Sequence, residues 1–344
     1  MKHTSLISWP AVLGSLALVL LGLLGWELRW VLLMLFGAIV VAVALDVPVQ
    51  RLRQLRCSRS SALLLVVLAL ALLTWALSTM LLPELVEQVQ TLNQLLPQLL
   101  QRVADVLSQV RGFDQLGRSI GSGNNLSALQ PISAQLLGLA GGAANSSIQL
   151  LLMGLLALLL CLNPSGHINL VIAATPQFYR HKMVDLLQEC REALGGWLAG
   201  MTISAITVFL LTWAGLAWLQ VPLALLSGLI CGLLTFVPTI GPTVATLLPT
   251  ALALVVNPLL ALKVVILRLV LQNLEAFVLT PLLLARTVNL LPTVALMAQL
   301  CLGALLGLPG VLLALPCVVV LQVLLQEIFV NEIMDRWTLN GNKS

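Results

Sequence analysis

Charged residues are scarce in this sequence. Only 9% of its 344 residues are Asp, Glu, Lys or Arg, whereas 60% are hydrophobic. Soluble globular domains carry about 25% charged and about 45–50% apolar residues. The composition therefore excludes a soluble, a disordered or a nucleic-acid-binding protein, despite the net charge of +4. It predicts an all-α polytopic membrane protein in contact with lipid.

Cysteine and histidine are few and scattered. The six cysteines show no C-x-x-C spacing, so we expect neither a disulfide framework nor a metal site. His3, His167 and His181 all fall in predicted loops. The chain also has no H-E-x-x-H and no G-x-S-x-G motif, which disfavours an intramembrane enzyme. An ATP-driven pump is disfavoured because no G-x-x-x-x-G-K-[ST] loop is present. We expect no cofactor.

The N-terminal unit, residues 1–82, contains three apolar runs that predict spanning helices. They cover residues 7–26, 30–45 and 61–82, and Asp46-Val47-Pro48 is expected to end the second. No small-x-small cleavage site follows the first run, so we interpret it as a span and not as a signal peptide. Four arginines lie in the loop before the third run: Arg51, Arg53, Arg56 and Arg59. The positive-inside rule places this loop and the N-terminus in the cytoplasm, as in a multi-pass protein of a bacterial inner membrane.

Residues 83–147 form an extracytoplasmic unit with a different pattern. Apolar residues recur there in steps of three and four, which predicts an amphipathic helical arm. Pro97 is expected to kink this arm or to start a new helix. The seam fits two alternatives: packing on the membrane or on the chain's own spans, and contact between subunits. Its residues are Leu85, Val89, Leu92, Leu96, Leu99, Val103, Val106 and Val110.

The third unit, residues 148–344, returns the chain across the membrane. Apolar runs at 148–162 and 197–219 predict two more spans, with an amphipathic helix between them. That helix carries Arg180, Lys182 and Arg191. Under this count both basic groups lie on the same side, which is an internal check on the topology.

Two pairs of short apolar segments predict helical hairpins, over about 222–256 and 292–330. Each arm has about 15 residues, fewer than the about 20 that span a bilayer. Broken backbone inside a membrane is tolerated where it is buried in protein or lines a watery cavity, and paired breaks mark transporter binding sites. We therefore predict two re-entrant hairpins whose tips contribute to a substrate site. The tip residues concerned are Pro238, Gly241, Pro242, Gly307 and Gly310.

A polar helical face lies between the hairpins. Arg268, Gln272 and Glu275 are spaced i, i+4, i+7 within an apolar stretch, and Asn273 lies next to them. A charge at the bilayer centre costs about 2.5–3.5 kcal/mol on insertion scales, so this face predicts a polar cavity that binds a substrate or ion. The alternative is an Arg268–Glu275 pair that fixes helix packing. Direct contact is disfavoured, because seven residues rise about 10.5 Å along a helix.

Several motifs resemble the autoinducer-2 exporter family of bacterial permeases. Val237-Pro238-Thr239-Ile240-Gly241-Pro242 is similar to the family's Pro-aromatic-Ile-Gly-Pro tip. Gln272-Asn273-Leu274-Glu275 with the later Pro281 resembles its Gln-x-x-Glu…Pro stretch. Gly307-Leu308-Pro309-Gly310 with Ala314-Leu315-Pro316 resembles its Gly-x-x-Gly…Ala-Val-Pro ending.

The resemblance implies a homo-oligomeric secondary carrier that exports a small molecule or an ion, with H⁺ or Na⁺ as coupling ion. Two alternatives stay open beside it. One is a cation/proton antiporter of the same family, and the other is a non-transporting oligomeric scaffold that assembles through the seam at 83–110.

Overall fold

The computed structural model describes residues 22–109, 143–237, 240–279, 281–282 and 291–327, together with Gly14, Leu16 and Leu20. Within these ranges every regular element is helical and no strand occurs. The all-α class predicted from composition is confirmed for this part of the chain.

The helices are numbered in chain order. They are α1 Arg29–Arg53, α2 Arg59–Gln109, α3 Ala143–Leu162, α4 Pro164–Ala174, α5 Arg180–Trp218, α6 Ala224–Leu234, α7 Ile240–Val256, α8 Pro258–Leu274 and α9 Pro292–Leu324. A short 3₁₀ turn, Gln177–Tyr179, precedes α5, and a π-helical turn, Glu275–Leu279, follows α8.

Four described segments are long and apolar enough to cross a membrane: Arg29–Arg53, Arg59–Val106, Gln177–Trp218 and Pro309–Glu327. Helices α3 and α4 together make a fifth if a bent pair counts as one span, because they meet at an angle of 84°. The chain is thus a polytopic helical membrane protein; its described residues contain four or five candidate spans, and the full sequence predicts about six. The first predicted span, residues 7–26, lies mostly outside the described residues.

Two helix ends differ from the sequence prediction. Helix α1 does not end at Asp46-Val47-Pro48 but continues to Arg53. Helix α2 runs for 51 residues through both Pro83 and Pro97, so the third span and the arm as far as Gln109 are one helix, about 77 Å long. Proline removes one hydrogen bond from a helix but does not necessarily end it, since packing on both sides can hold the axis.

The amphipathic seam of α2 packs inside its own chain. Leu92 and Leu99 are buried in a cluster with Leu216 of α5 and Leu252 of α7, and Leu85 and Val89 border that cluster. The Gln88 side chain also accepts a hydrogen bond of 2.8 Å from the Leu226 backbone N–H, which caps the start of α6. Of the two alternatives for the seam, this contact corresponds to packing within the chain.

A charge network joins the helices at one end of the bundle. The buried Asp46 carboxylate of α1 binds Arg59 at the start of α2, at 2.9 Å, and Arg191 of α5. Gln50 donates to the same carboxylate, and Arg59 also donates to the Cys161 carbonyl of α3. The two basic groups therefore lie at the same end of the bundle, as the topology count requires.

Helix α5 is the spine of the molecule. One stripe of its residues is buried along its length: Leu194, Trp197, Met201, Ser204, Val208, Thr212 and Leu216. The early part of this stripe, from Leu194 to Met201, packs against Val40 of α1 and Leu315 of α9. The late part contacts α6, α7 and α8. Below, the height of a residue means its position along the axis of α5, named by the α5 residue beside it.

Helices α6 and α7 form the first hairpin. A Cβ added to Gly228 would lie 3.0 Å from the Trp213 backbone N, and one added to Gly232 would lie 2.8 Å from the Ala205 carbonyl oxygen. Helix α6 therefore runs antiparallel to α5, from the height of Trp213 to that of Ala205. The chain then folds back, because a Cβ on Gly241 would overlap the Leu234 carbonyl.

The two halves of α9 form the second hairpin. The break is at Gly307, which has φ +63° and ψ −149°. A Cβ on Gly310 would overlap the Leu302 carbonyl, and one on Gly303 would lie 2.8 Å from Val311 Cγ2. In a continuous helix, residues eight apart would be separated by about 12 Å, so the second half returns along the first.

The hairpins approach from opposite ends of α5. Beyond the second hairpin, the Glu327 carbonyl accepts a hydrogen bond from Lys182, near the start of α5. The base of the first hairpin packs with Leu216, near the end of α5. Phe236, in the first tip, borders the cluster that holds Met201 and Leu315. The first tip thus lies near the height of Met201–Ala205, and Leu315, eight residues after the break at Gly307, packs at the height of Leu194–Met201.

Candidate functional site

Arg268 is a buried cation that rests on hydroxyl groups. Its residue is 2% exposed, and its Nη1 donates to Thr212 Oγ1 of α5 at 2.9 Å. Its Nε donates over 3.4 Å to Thr246 Oγ1 of α7, whose hydroxyl donates to the Pro242 carbonyl at 2.9 Å. No carboxylate among the residues described lies within ion-pair distance of Arg268. The guanidinium has five N–H donors, so donors remain for an anionic group.

Glu275 lies where α8 changes to the π-helical turn Glu275–Leu279. Its Oε1 accepts a hydrogen bond of 3.2 Å from the Ser204 hydroxyl of α5. Single π turns inside helices occur frequently at functional sites, because the wider turn redirects side chains and frees backbone carbonyls. No basic side chain in the described ranges is within ion-pair distance of this carboxylate.

The two charges are held separately, in antiparallel register. Arg268 contacts Thr212, and Glu275, seven positions later on α8, contacts Ser204, eight positions earlier on α5. The two spacings match, so the helices run antiparallel here. The guanidinium and the carboxylate are not within ion-pair distance of each other. The described residues therefore do not contain the direct Arg268–Glu275 pair that was the structural alternative.

The remaining predicted polar residues fall on two sides of α8. Gln272 is half-buried on the same face as Arg268 and Glu275. Asn273 is exposed, and its Nδ2 donates to the Leu269 carbonyl of its own helix at 2.7 Å. The structure thus brings Gln272 to the site but turns Asn273 away from it.

The predicted tip residues occupy the turns of the hairpins. Gly241 and Gly310 are buried at the close backbone approaches, and Gly307 supplies the break in α9. The Pro242 carbonyl connects the first tip to Arg268 through Thr246. Pro238 lies outside the described residues.

Sequence reasoning missed the hydroxyl partners and one buried amide. Ser204 and Thr212 lie eight residues apart on the buried stripe of α5, and small hydroxyl residues on one face of an apolar helix were the available signal. Gln299 of α9 is 2% exposed, and neither its Nε2 nor its Oε1 has a hydrogen-bond partner in the part of the chain that the structure describes.

The two histidines in the described ranges lie on exposed faces of helices. His167 lies in α4 and His181 in α5, so the prediction of loops at these two positions is wrong; both side chains are exposed. His3 lies outside the described residues. Among those residues, no group of three or more His, Cys, Asp or Glu is placed to hold a metal ion.

A cavity of about 660 Å³ opens at the basic end of the bundle, between α1 and α5. It extends from Arg51 and Gln54 to Val43 and Ala199. Ala199 is five residues before Ser204, which corresponds to about 7.5 Å along α5. The cavity therefore leads from the basic end toward the height of Glu275.

Fold and site together define the class of this protein. A bundle of apolar helices with a buried guanidinium, a half-buried carboxylate and two fold-back hairpins is a polytopic membrane protein of the transporter type. The sequence model of the AI-2E family transporters matches residues 13–329. The chain belongs to this family, and its role is that of a membrane transporter.

Three relatives illustrate the range of similarity. The AI-2 transport protein TqsA of Escherichia coli is 28% identical over 307 residues, which cover 84% of each chain. The Synechocystis protein sll0060, whose name assigns it to transport, is 27% identical over 80% of this chain and 82% of its own. YrrI of Bacillus subtilis, named in the same way, is 27% identical over 44% of this chain and 43% of its own length.

Proposed function

We propose that this protein is a secondary transporter whose substrate site lies between the two hairpin tips and the polar face of α8. The observation that carries the proposal is that the first hairpin turns back at the height of α5 where Ser204 holds Glu275, while the second hairpin enters from the opposite end and packs on the same buried stripe of α5. Under this proposal the protein is a permease of the bacterial inner membrane, and the basic end of the bundle and the N-terminus lie in the cytoplasm.

Broken backbone at this position needs a physical reason. Unpaired N–H and C=O groups cost several kcal/mol each when they face lipid. Hairpin tips that meet inside the bundle avoid that cost by burial and by contact with water or a bound substrate. Discontinuous helices of this kind form the midplane sites of many secondary carriers. Movement of a hairpin-bearing unit relative to α1 and α2 would then give alternating access.

The two charges suit different roles. Arg268, with free donors and no carboxylate partner among the described residues, is suited to an anionic or strongly polar group of the substrate. Glu275, held by one hydroxyl, is suited to a coupling proton or cation. Because one relative is named an AI-2 transport protein, autoinducer-2 is the first substrate to test.

A cation/proton antiporter is the second candidate. It is favoured by Glu275, because a deep carboxylate without a basic partner in the described ranges gains from a bound cation or proton. The non-transporting scaffold ranks below both, since it gives no reason for two charges in the apolar interior. A homo-oligomer is compatible with either transport function and remains a proposal.

Flux in vesicles tests the proposal. Purified wild-type protein is reconstituted, and uptake of autoinducer-2, protons and ²²Na⁺ is followed under imposed proton and sodium gradients. We expect Arg268→Ala and Glu275→Gln each to lower flux at least about tenfold, since a lost interaction of about 1.4 kcal/mol corresponds to that factor. Lys263→Gln is the matched control, because Lys263 is on the same helix but exposed.

The alternatives predict different results. Proton–sodium exchange without autoinducer-2 flux supports the antiporter. Wild-type flux from both site variants would remove the proposed site, and absence of every flux from wild-type vesicles would favour the scaffold.

A further inference from the structure

Helix α4 is turned sideways to the helix before it. Helix α3 has 20 residues, about 30 Å, which matches the hydrocarbon thickness of a bilayer. After one intervening residue, Asn163, α4 leaves at an angle of 84°, and none of its residues is buried. The Asn163 side chain caps the start of α4 and Pro164 occupies its first position, which fixes the bend. Because α3 crosses the hydrocarbon core by itself, α4 lies along the membrane surface over about 16 Å.

The exposed residues of α4 separate into an apolar and a polar side. Leu170, Val171 and Ala174 share one side, whereas Ser165 and Asn169 lie on the opposite side, and all five are exposed. Leu170 is 73% exposed. A helix in the membrane plane buries such an apolar side at the boundary of the acyl chains and turns its polar side to water.

The loop between α1 and α2 lies at the same end of the bundle as α4. Cys57 of this loop borders the buried cluster that holds Cys161, near the end of α3. Helix α1 is about 37 Å long, more than the hydrocarbon core of about 30 Å, so its last turn reaches the level of the lipid headgroups. In the loop, Leu55 is 75% exposed between Arg53 and Arg56.

Both segments are basic and contain no acidic residue. Residues 47–60 carry four arginines, residues 163–182 carry two further cations, and neither range contains Asp or Glu. Arg53 and Arg56 are exposed, and no carboxylate in the described part of the chain is within ion-pair distance of either. Arg180 is exposed at the far end of α4, where it donates to the last carbonyl groups of that helix. Cations at this level attract the phosphates of anionic lipids.

We propose that α4 and the loop Arg53–Arg56 form a docking surface for anionic phospholipids. The apolar side chains enter the acyl-chain boundary, led by Leu55, Leu170 and Phe178, which is 88% exposed. The two loop arginines bind the lipid phosphates. The occupant is a lipid surface and not a soluble anion, because the cations lie beside exposed apolar side chains that only a lipid covers.

Lipid binding is measured on the full chain purified in a neutral detergent. Thermal unfolding is followed as short-chain phosphatidylglycerol is added, with phosphatidylcholine of the same chain length in a parallel series. We expect phosphatidylglycerol to raise the unfolding temperature in a saturable manner and more strongly than phosphatidylcholine. The difference should vanish in about 1 M NaCl, because salt screens exposed charges.

Charge removal tests the loop. The double variant Arg53→Gln with Arg56→Gln should raise the apparent dissociation constant for phosphatidylglycerol at least about tenfold. Without lipid it should unfold at the wild-type temperature, since both side chains are exposed. Arg102→Gln is the matched control, because this exposed arginine lies about 64 Å along α2 from Arg59. Its response to lipid should equal that of the wild type.

Thiol labelling tests the orientation of α4. Asn169→Cys and Leu170→Cys are compared in nanodiscs that contain phosphatidylglycerol, with a membrane-impermeant maleimide and the wild type as background. Both positions are exposed in the protein itself, so lipid alone distinguishes them. We expect the thiol at position 169 to react at least about tenfold faster than the thiol at position 170.

Four results would overturn the proposal. They are equal responses of the wild type to the two lipids, an unchanged dissociation constant in the double variant, an equal loss of binding in Arg102→Gln, and equal labelling at positions 169 and 170. Glycerol phosphate carries the same anionic group without acyl chains and should leave the unfolding temperature unchanged. An effect of glycerol phosphate equal to that of the lipid would instead assign a soluble anion to the surface. None of these measurements uses flux, so the transport function is judged separately.

Discussion

Replacing Gly241 or Gly310 by alanine should force the two arms of the hairpin concerned apart. In Gly241→Ala the new methyl group overlaps the Leu234 carbonyl, and in Gly310→Ala it overlaps the Leu302 carbonyl. Both obstacles are backbone atoms, which cannot rotate away as a side chain does. Overpacking of a tight interior costs about 1–3 kcal/mol and occasionally more. We expect about 3 kcal/mol or more at each position, because the backbone of a hairpin arm has to move.

Thermal unfolding of the full chain in detergent measures this cost, and flux in vesicles reports its effect on transport. Gly154→Ala in α3 is the matched control, since a Cβ there meets nothing within 4 Å. Alanine in an open helix position is favoured over glycine by about 0.5–1 kcal/mol, so this variant should unfold at the wild-type temperature or slightly above. If Gly241→Ala and Gly310→Ala behave like Gly154→Ala, the arms do not approach as closely as described.

Three further predictions follow from single features. Asp46→Asn should lower the free energy of unfolding by about 2 kcal/mol, less than the about 3–5 kcal/mol of a fully buried pair because both guanidinium groups reach solvent; the exposed Arg51→Gln should have little effect in the same denaturation assay. Leu92→Cys should give no cross-link between subunits, since its side chain is buried in its own chain; thiol labelling of the exposed Val86→Cys is the control that the reagent reaches α2, and efficient linking at 92 would assign the seam to assembly. Gly307→Ala should cost about 1–3 kcal/mol in thermal unfolding although the space around it is open, because φ +63° with ψ −149° is a backbone region that essentially only glycine occupies.

Local sequence patterns predict much of the helical architecture. Apolar runs locate α1, the first part of α2, α3 and the later part of α5, because only a helix satisfies its backbone in lipid. The Pro/Gly clusters at 238–242 and 307–310 indicate where the hairpins turn. The same local patterns do not predict that α2 continues through Pro83 and Pro97. A proline's effect depends on what packs beside it, and a local pattern does not contain that information.

The polar site likewise has one part that the sequence predicts and another that depends on packing. The i, i+4, i+7 spacing places Arg268, Gln272 and Glu275 on one face, because the helical repeat alone requires it. Their partners come from other helices: Thr212 and Ser204 from α5 and Thr246 from α7. Nothing near residue 268 in the sequence indicates that a threonine 56 positions earlier will hold its guanidinium.

The sequence by itself determined that this is a helical membrane protein with two interrupted hairpins and an intramembrane pair of charges, because span length, helix breaking and the cost of buried charge are local properties. Only the tertiary structure decided that the hairpins enter from opposite ends of α5, that Arg268 and Glu275 are held by separate hydroxyl groups, and that Gln299 is buried without a hydrogen-bond partner among the described residues. Those facts depend on which surfaces pack together, and packing is settled by the shapes of distant residues rather than by the order of neighbouring ones.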